Sequence, residues 1–402
     1  MVNDLKRYGM TRRMLLASGA AAGLGVSPVL FRPAIAQTYP LRLGVLVPLS
    51  GVYASLGANQ VNGIKMFLDE QSMVVNGRPI ELVIEDDEAK PQEGLRKARK
   101  LVEQDSVDVL IGVISSAVGY ALKEYASRAR RVWVTTGAAA DGIFKKVNNT
   151  PYAYRASLSV WQANQPMGTW LGGKGYKRVF LTGPDYAMGR EAISAFEQTF
   201  KVAGAENVGE IYAPLGNSDF APFLAQIKLA TPDLVYASYA GSDAVRFVQQ
   251  FASFGLGKSI KLAGYGYLAE EDTFPAQGDS ALGVYSSLNW AYGLDTPGNR
   301  AFVANYRQRY NAIPTVDSVA GYVGAQVVWT ALSALNADSV DQDMLSKAIL
   351  ETKIDTIRGP LSFDPDTRNV VQNIYIREAT KDGGELHNQV LATYTDVRDP
   401  GT

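Results

Sequence analysis

Two consecutive α/β units, each a parallel sheet wrapped by helices, are the fold class that this sequence predicts. Short apolar runs of strand length alternate with amphipathic helical patterns from residue 41 onward, and the alternation restarts near residue 152. At 402 residues the chain is also too long for one ordinary core and suits two domains. Strand, helix and strand in regular succession demand right-handed crossovers and a sheet covered on both faces.

The first 36 residues stand apart. Arg12 and Arg13 precede a mildly apolar stretch, residues 14–31, and the small-residue pattern Ala34-Ile35-Ala36 comes just before Gln37. Basic region, short apolar region and A-x-A describe a cleavable export signal. The paired arginines in TRRMLLAS are similar to twin-arginine signals, which export folded proteins. The mature chain should begin near Gln37, in a periplasm or its equivalent, and no later segment is long and apolar enough to span a bilayer.

In the first unit, residues 41–47 (LRLGVLV) read as a buried strand, and 48–57 (PLSGVYASLG) as a loop. Val61, Ile64, Met66, Phe67 and Leu68 give the next helix its apolar face. Gly77 turns the chain into a strand over 80–85, and Asp86, Asp87 and Pro91 lead into a helix over 92–104. Strands over 109–111 and 132–135 flank a helix over 118–129. Each of these two strands ends in a loop of Gly, Ser, Thr and Ala, residues 112–116 and 136–140. Strand carboxyl ends form the ligand crevice of an open parallel sheet, and short side chains let backbone groups and hydroxyls reach a small polar head group.

The second unit follows the same plan. Helices are expected over 161–171, 190–202, 219–229 and 244–254, and strands over 178–182, 206–212, 234–237 and 260–263. Loops over 183–189, 238–242 and 264–272 follow strands and should face the first unit across a cleft. A strand near 284–288, three helical patterns over 299–310, 317–335 and 341–350, a turn over 359–369 and a strand over 370–377 complete the chain.

Composition narrows the function. With 39 Lys+Arg against 40 Asp+Glu and no basic stripe, nucleic acid is not expected as a partner. The chain contains no cysteine, which excludes disulfides, thiolate metal sites and thiol nucleophiles. Residues 168–174 satisfy G-x-x-x-x-G-K, but Gly175 replaces the Ser/Thr and the stretch ends a helix. Ser115-Ser116 lacks the glycines of a nucleophile elbow, and the lone histidine, His387, lies in a polar tail. The acidic run 85–88 reads as a solvated rim at a helix start. No enzyme, cofactor or metal site is expected.

The order of these elements, with LRLGVLVPLSGVYASLG, EDDEAKP, IGVISSA, VWVTTGAAAD, YAYRAS and GPDYAMGRE, resembles the type I periplasmic binding proteins of the leucine/isoleucine/valine-binding kind, the substrate-capturing components of ABC importers. The likeness spans about residues 40–398. It implies two Rossmann-like lobes joined by a three-crossover hinge, with lobe one at 38–156 and 286–358, lobe two at 157–285 and 359–398, and a membrane permease with its ATPases as partners. It also implies site residues. Ser115 and Ser116 would hold a ligand carboxylate, and Tyr53 or Leu56, Tyr186 and Tyr239 would form walls. The loop expected to hold an ammonium has Ala138, Ala139 and Ala140 where a threonine is expected. The lobe-two loop offers Tyr265 and Tyr267, and its nearest acid, Glu270, falls a few residues late. Two ligand classes stay open: an amino acid or related small carboxylate, or an aromatic carboxylate without an α-amino group, for which the serine loop and tyrosine walls suffice. A ligand-sensing receptor outside transport is the remaining alternative.

Overall fold

The computed structural model describes residues 39–335 and 339–402, so the expected export signal lies outside the described residues. A first, six-stranded sheet is built from β1 (Leu41–Val47), β2 (Val74–Val75), β3 (Arg78–Asp86), β4 (Val109–Gly112), β5 (Trp133–Thr135) and β6 (Ala153–Arg155), in the order β2-β3-β1-β4-β5-β6. All its pairings are parallel except β2 with β3. The hairpin between those two turns on Asn76 and Gly77, both at positive φ (50° and 78°), the geometry that Asn-Gly adopts most readily. β1 is buried along almost its whole length, as a strand covered on both faces should be. Helices α1 (Ala54–Glu70), α2 (Pro91–Arg99) and α3 (Ser116–Ala129) supply the covering layers.

The second sheet has nine strands: β7 (Arg178–Pro184), β8 (Glu206–Ala213), β9 (Leu234–Ala237), β10 (Lys261–Tyr265), β11 (Tyr285–Leu288), β12 (Ile354–Thr356), β13 (Gly359–Phe363), β14 (Val370–Asp382) and β15 (Glu385–Val397). Its order is β12-β13-β14-β11-β10-β9-β7-β8, with β15 paired to β14. Strands β7 to β11 pair in parallel, through α4 (Val160–Gly173), α5 (Ala187–Phe200), α6 (Ala221–Ala230), α7 (Gly241–Ser253) and the short α8 (Phe274–Gln277). Strands β12 to β15 pair antiparallel, so this sheet is mixed and not purely parallel as the alternation had implied. The polar tail around His387 is no loose end: Gly383 and Gly384, both at positive φ, turn β14 into β15, and the expected strand 370–377 continues to Asp382.

Between β11 and β12 run α9 (Pro297–Tyr310), α10 (Val316–Ser333) and α11 (Gln342–Glu351), and α10 packs along α1 of the first sheet. The chain therefore passes between the sheets three times. Glycines bring α1 and α10 together: a Cβ on Gly63 would stand 1.9 Å from Ser318 O, and one on Gly321 would stand 2.1 Å from Gln60 O. Any side chain there would push the two helices apart.

Candidate functional site

The loop after β1 faces the loop after β7, the loop after β5 is hydrogen-bonded to the start of α4, and the start of α10 faces the loop after β10 of the second sheet. Helix α3 starts at Ser116, so its first backbone N–H groups and the positive end of its dipole lie in the loop after β4. Ser115 stands at the N-cap without using its side chain to cap, and Ser116 Oγ accepts from Ala140 N at 3.1 Å. Both serines are half-buried. Fourteen residues of helix behind a pair of small hydroxyls can hold an anionic head group.

The alanine loop is tied to the scaffold. Ala138 N donates to Val113 O at 3.0 Å and to Thr135 Oγ1 at 3.1 Å, and Ala139 O accepts from Val160 N at 2.9 Å. Ala138 is fully buried and Ala139 half-buried, so the loop provides shape more than free hydrogen-bonding groups.

Among the expected tyrosines the structure separates two environments. The Tyr53 and Tyr186 side chains face each other closely enough to influence each other's charge, bringing the loop after β1 against the loop after β7. The Tyr186 hydroxyl also lies near that of Tyr265, whose ring packs on Tyr267 with centroids 5.4 Å apart. Burial raises the pKa of all four, so each is a neutral hydroxyl at physiological pH. Tyr239 sits elsewhere: its hydroxyl meets Thr182 Oγ1 at 2.7 Å and its ring packs on Phe220 and Phe247, inside the core of the second sheet.

Glu270 is engaged within its own sheet. Arg377 Nη2 donates to Glu270 Oε2 at 3.0 Å, and the two side chains are 0% and 2% exposed. The same guanidinium donates to Ser286 Oγ, Trp290 O and Gly266 O. Burial pushes the Glu270 carboxyl well above the usual carboxylate range, with Arg377 pulling it down and the adjacent Glu271 adding to the rise. The acidic run near residue 85 is only partly a rim: Glu85 pairs with Lys97 and Lys100, whereas Asp87 is fully buried and its pKa rises to about 6.

Three further groups escaped the sequence reading. Gln60, on the buried face of α1, donates through Nε2 to Thr136 O at 3.2 Å and to Asp317 Oδ1 at 3.3 Å, and accepts from Thr136 Oγ1 at 2.6 Å. Asp317, in the first turn of α10, is 2% exposed, and burial lifts its pKa to about 7. Arg155, at the end of β6, is wholly buried; Nη2 donates to Ala140 O at 2.5 Å while Nε and Nη1 have no hydrogen-bond partner. Burial lowers the Arg155 pKa against the pull of Asp399 and Asp141. The only sequence signals were a glutamine on an apolar helix face and an acid at a helix start, both of which usually have local explanations. Among the described residues no group of three or more His, Asp or Glu is placed to hold a metal ion.

Comparison with known proteins gives this arrangement its family. The family model described as "Periplasmic binding protein" matches residues 40–384. The chain belongs to the periplasmic binding protein family. A curated relative, Leu/Ile/Val-binding protein homolog 6 of Brucella melitensis, is 32% identical over 367 residues, covering 90% of this chain and 93% of the relative. Among solved structures, an ABC transporter substrate-binding protein from Sphaerobacter thermophilus superposes with a TM-score of 0.87 at 31% identity, covering 90% of this chain and 100% of that one. A solute-binding protein of an ABC transporter from Rhodopseudomonas palustris BisB5, solved with 3,4-dihydroxybenzoic acid, gives 0.85 at 35% identity, covering 90% and 99%. The resemblance read from the strand-end loops holds, and with it the two-sheet α/β fold and the place of this binding protein among ABC transporter substrate-binding proteins. The family is one of periplasmic substrate-binding proteins of ABC transporters.

Proposed function

We propose that this periplasmic binding protein captures an amino acid or related small carboxylate for an ABC importer by closing two lobes over it, residues 38–156 with 286–358 and residues 157–285 with 359–398. The observation that carries this reading is the meeting of the two sheets' strand-end loops. The α3 N-terminus with Ser115 and Ser116 suits a carboxylate, and Tyr53, Tyr186, Tyr265 and Tyr267 wall the same region. A ligand that touches both sheets shifts the open-closed equilibrium by its preference for the closed state, and a permease with its ATPases then reads closure as loading. Export through the twin-arginine signal, with cleavage near Ala36, would place the receptor where that solute arrives.

A second reading, an aromatic carboxylate without an α-amino group, has its own support in the four tyrosines and in the dihydroxybenzoate bound by the Rhodopseudomonas relative. Thermal unfolding of the chain from Gln37 onward, against amino acids and aromatic and aliphatic carboxylates, tests both readings. A ligand at about 100 times its Kd adds roughly 2.7 kcal/mol. Leucine-like responses support the first reading and benzoate-like responses the second. Silence across the panel removes both and returns a sensing role to the front.

A further inference from the structure

The buried carboxyl of Asp317 is not needed to cap the helix that carries it. An acid in the first turn of a helix ordinarily offsets the helix dipole or caps free N–H groups. Helix α10 is capped without it: Thr315 Oγ1 accepts from Ser318 N at 3.4 Å while Ser318 Oγ accepts from Thr315 N at 2.9 Å, a reciprocal box. Among the described residues Asp317 forms no ion pair, although it is 2% exposed, and the donor on its Oδ1 is the neutral amide of Gln60 at 3.3 Å. What faces it from the second sheet is acidic or phenolic: Asp272, Tyr265 and Tyr267 all lie close enough to influence its charge or be influenced by it. A carboxylate facing a second acid, Asp272, with only neutral groups around it is costly to bury unless a further hydrogen-bond donor reaches it.

Position argues the same way. Gln60 bridges Asp317 to Thr136, the first residue of the loop after β5, so the acid belongs to the floor that also carries Ser115 and Ser116. The close approach of α1 and α10 at Gly63 and Gly321 fixes Gln60 and Asp317 against each other. Glu270, the acid expected from the sequence, is paired through Oε2 with Arg377, while its Oε1 is buried without a hydrogen-bond partner.

We infer that Asp317, oriented by Gln60, is the specificity acid of this site and accepts a hydrogen-bond donor, ammonium or hydroxyl, carried by the ligand in addition to its carboxylate. This rests on the carboxylate-capture reading above and adds what the second end of the ligand must be. Both ligand classes contain such molecules, an α-ammonium in one and a phenolic hydroxyl in the other, and the donor is their shared chemistry.

The test is a pair of matched comparisons by calorimetry on the mature protein: leucine against 4-methylpentanoate, and 4-hydroxybenzoate against benzoate. In the wild type at least one pair should favour its donor-bearing member by about tenfold or more, the scale of a charge-assisted hydrogen bond. The first pair responding identifies an ammonium, the second a hydroxyl. Asp317→Asn keeps the shape and one acceptor oxygen but loses the charge. It should weaken the donor-bearing member about tenfold and its donor-free partner less than about threefold. The wild-type comparison stands even if the variant folds poorly. Equal affinities within both pairs, or an equal loss for both members in Asp317→Asn, overturn the role of Asp317 while leaving carboxylate capture intact. If none of the four compounds binds, both fall together.

Discussion

Removing the Glu270 carboxylate should destabilise the protein far more than a surface acid would, because it strands a buried guanidinium. Arg377 is 0% exposed, and three of its four partners, Ser286 Oγ, Trp290 O and Gly266 O, are neutral. Glu270→Ala leaves that charge without its counter-charge in a site closed to water, which costs about 3–5 kcal/mol for buried pairs broken on one side. The compact unit Thr38–Thr402, at about 2.1 cal/mol/K per residue, has an unfolding entropy near 0.8 kcal/mol/K, so the loss should lower the thermal midpoint by about 4–6 °C. Differential scanning calorimetry with urea titration reads it directly. The companion variant Glu270→Ala/Arg377→Met removes both charges and should recover more than half of the loss, since apolar replacement of a whole buried pair is often nearly neutral. A single-variant loss under about 1 °C, or a double variant less stable than Glu270→Ala, would refute the idea that the acid exists to neutralise Arg377 and would make it available again as a ligand group.

Three other outcomes follow from the same structure. Tyr186→Phe removes the hydroxyl that faces Tyr53 and should shift the ligand-free protein toward an open form by up to about 1 kcal/mol; small-angle scattering should record a larger radius of gyration, and an unchanged profile would remove the tyrosine pair as a latch. Gly321→Ala puts a Cβ 2.1 Å from Gln60 O, so α1 and α10 must separate; a loss of about 1–3 kcal/mol in urea unfolding is expected together with weaker ligand binding, and a variant of native stability would show that the helices can yield. Asp317 is held at about 7 in the folded state against about 3.9 in the unfolded chain, so the folded state binds its proton more tightly. The stability this confers is complete below pH ~4 and is lost as pH rises through ~7. Ligand-free protein should therefore melt lower at pH 8 than at pH 5.5, with Asp272, Tyr265, Tyr267 and Tyr306 as the facing groups. Asp317→Asn should shrink that difference, and an undiminished difference would assign it to Asp141, Asp272 or Asp87, which are raised in the same direction.

How far the sequence reveals such a site depends on whether its parts are local. The strand, small-residue loop and helix start at the serine end were legible because they form one continuous stretch, β4 into α3, and the anion site proposed there needs only neighbours in the chain. Parallel strands were legible for the same reason, each buried run announcing itself. The hairpin of β14 and β15 was missed although DGG at 382–384 is a strong turn signal, because one face of β15 alternates with solvent and reads as a polar tail. Charge compensation is the part that distance hides. Glu270 meets Arg377 across 107 positions, and Gln60 meets Asp317 across 257, so no window of sequence contains either pair. One clue was nevertheless within reach. Thr315 and Ser318 form a complete N-terminal box on their own, which leaves the acid between them without a capping duty. An acid at a helix start whose capping work is already done by its neighbours is free for another partner, and beside the proposed carboxylate site that partner is most economically the ligand.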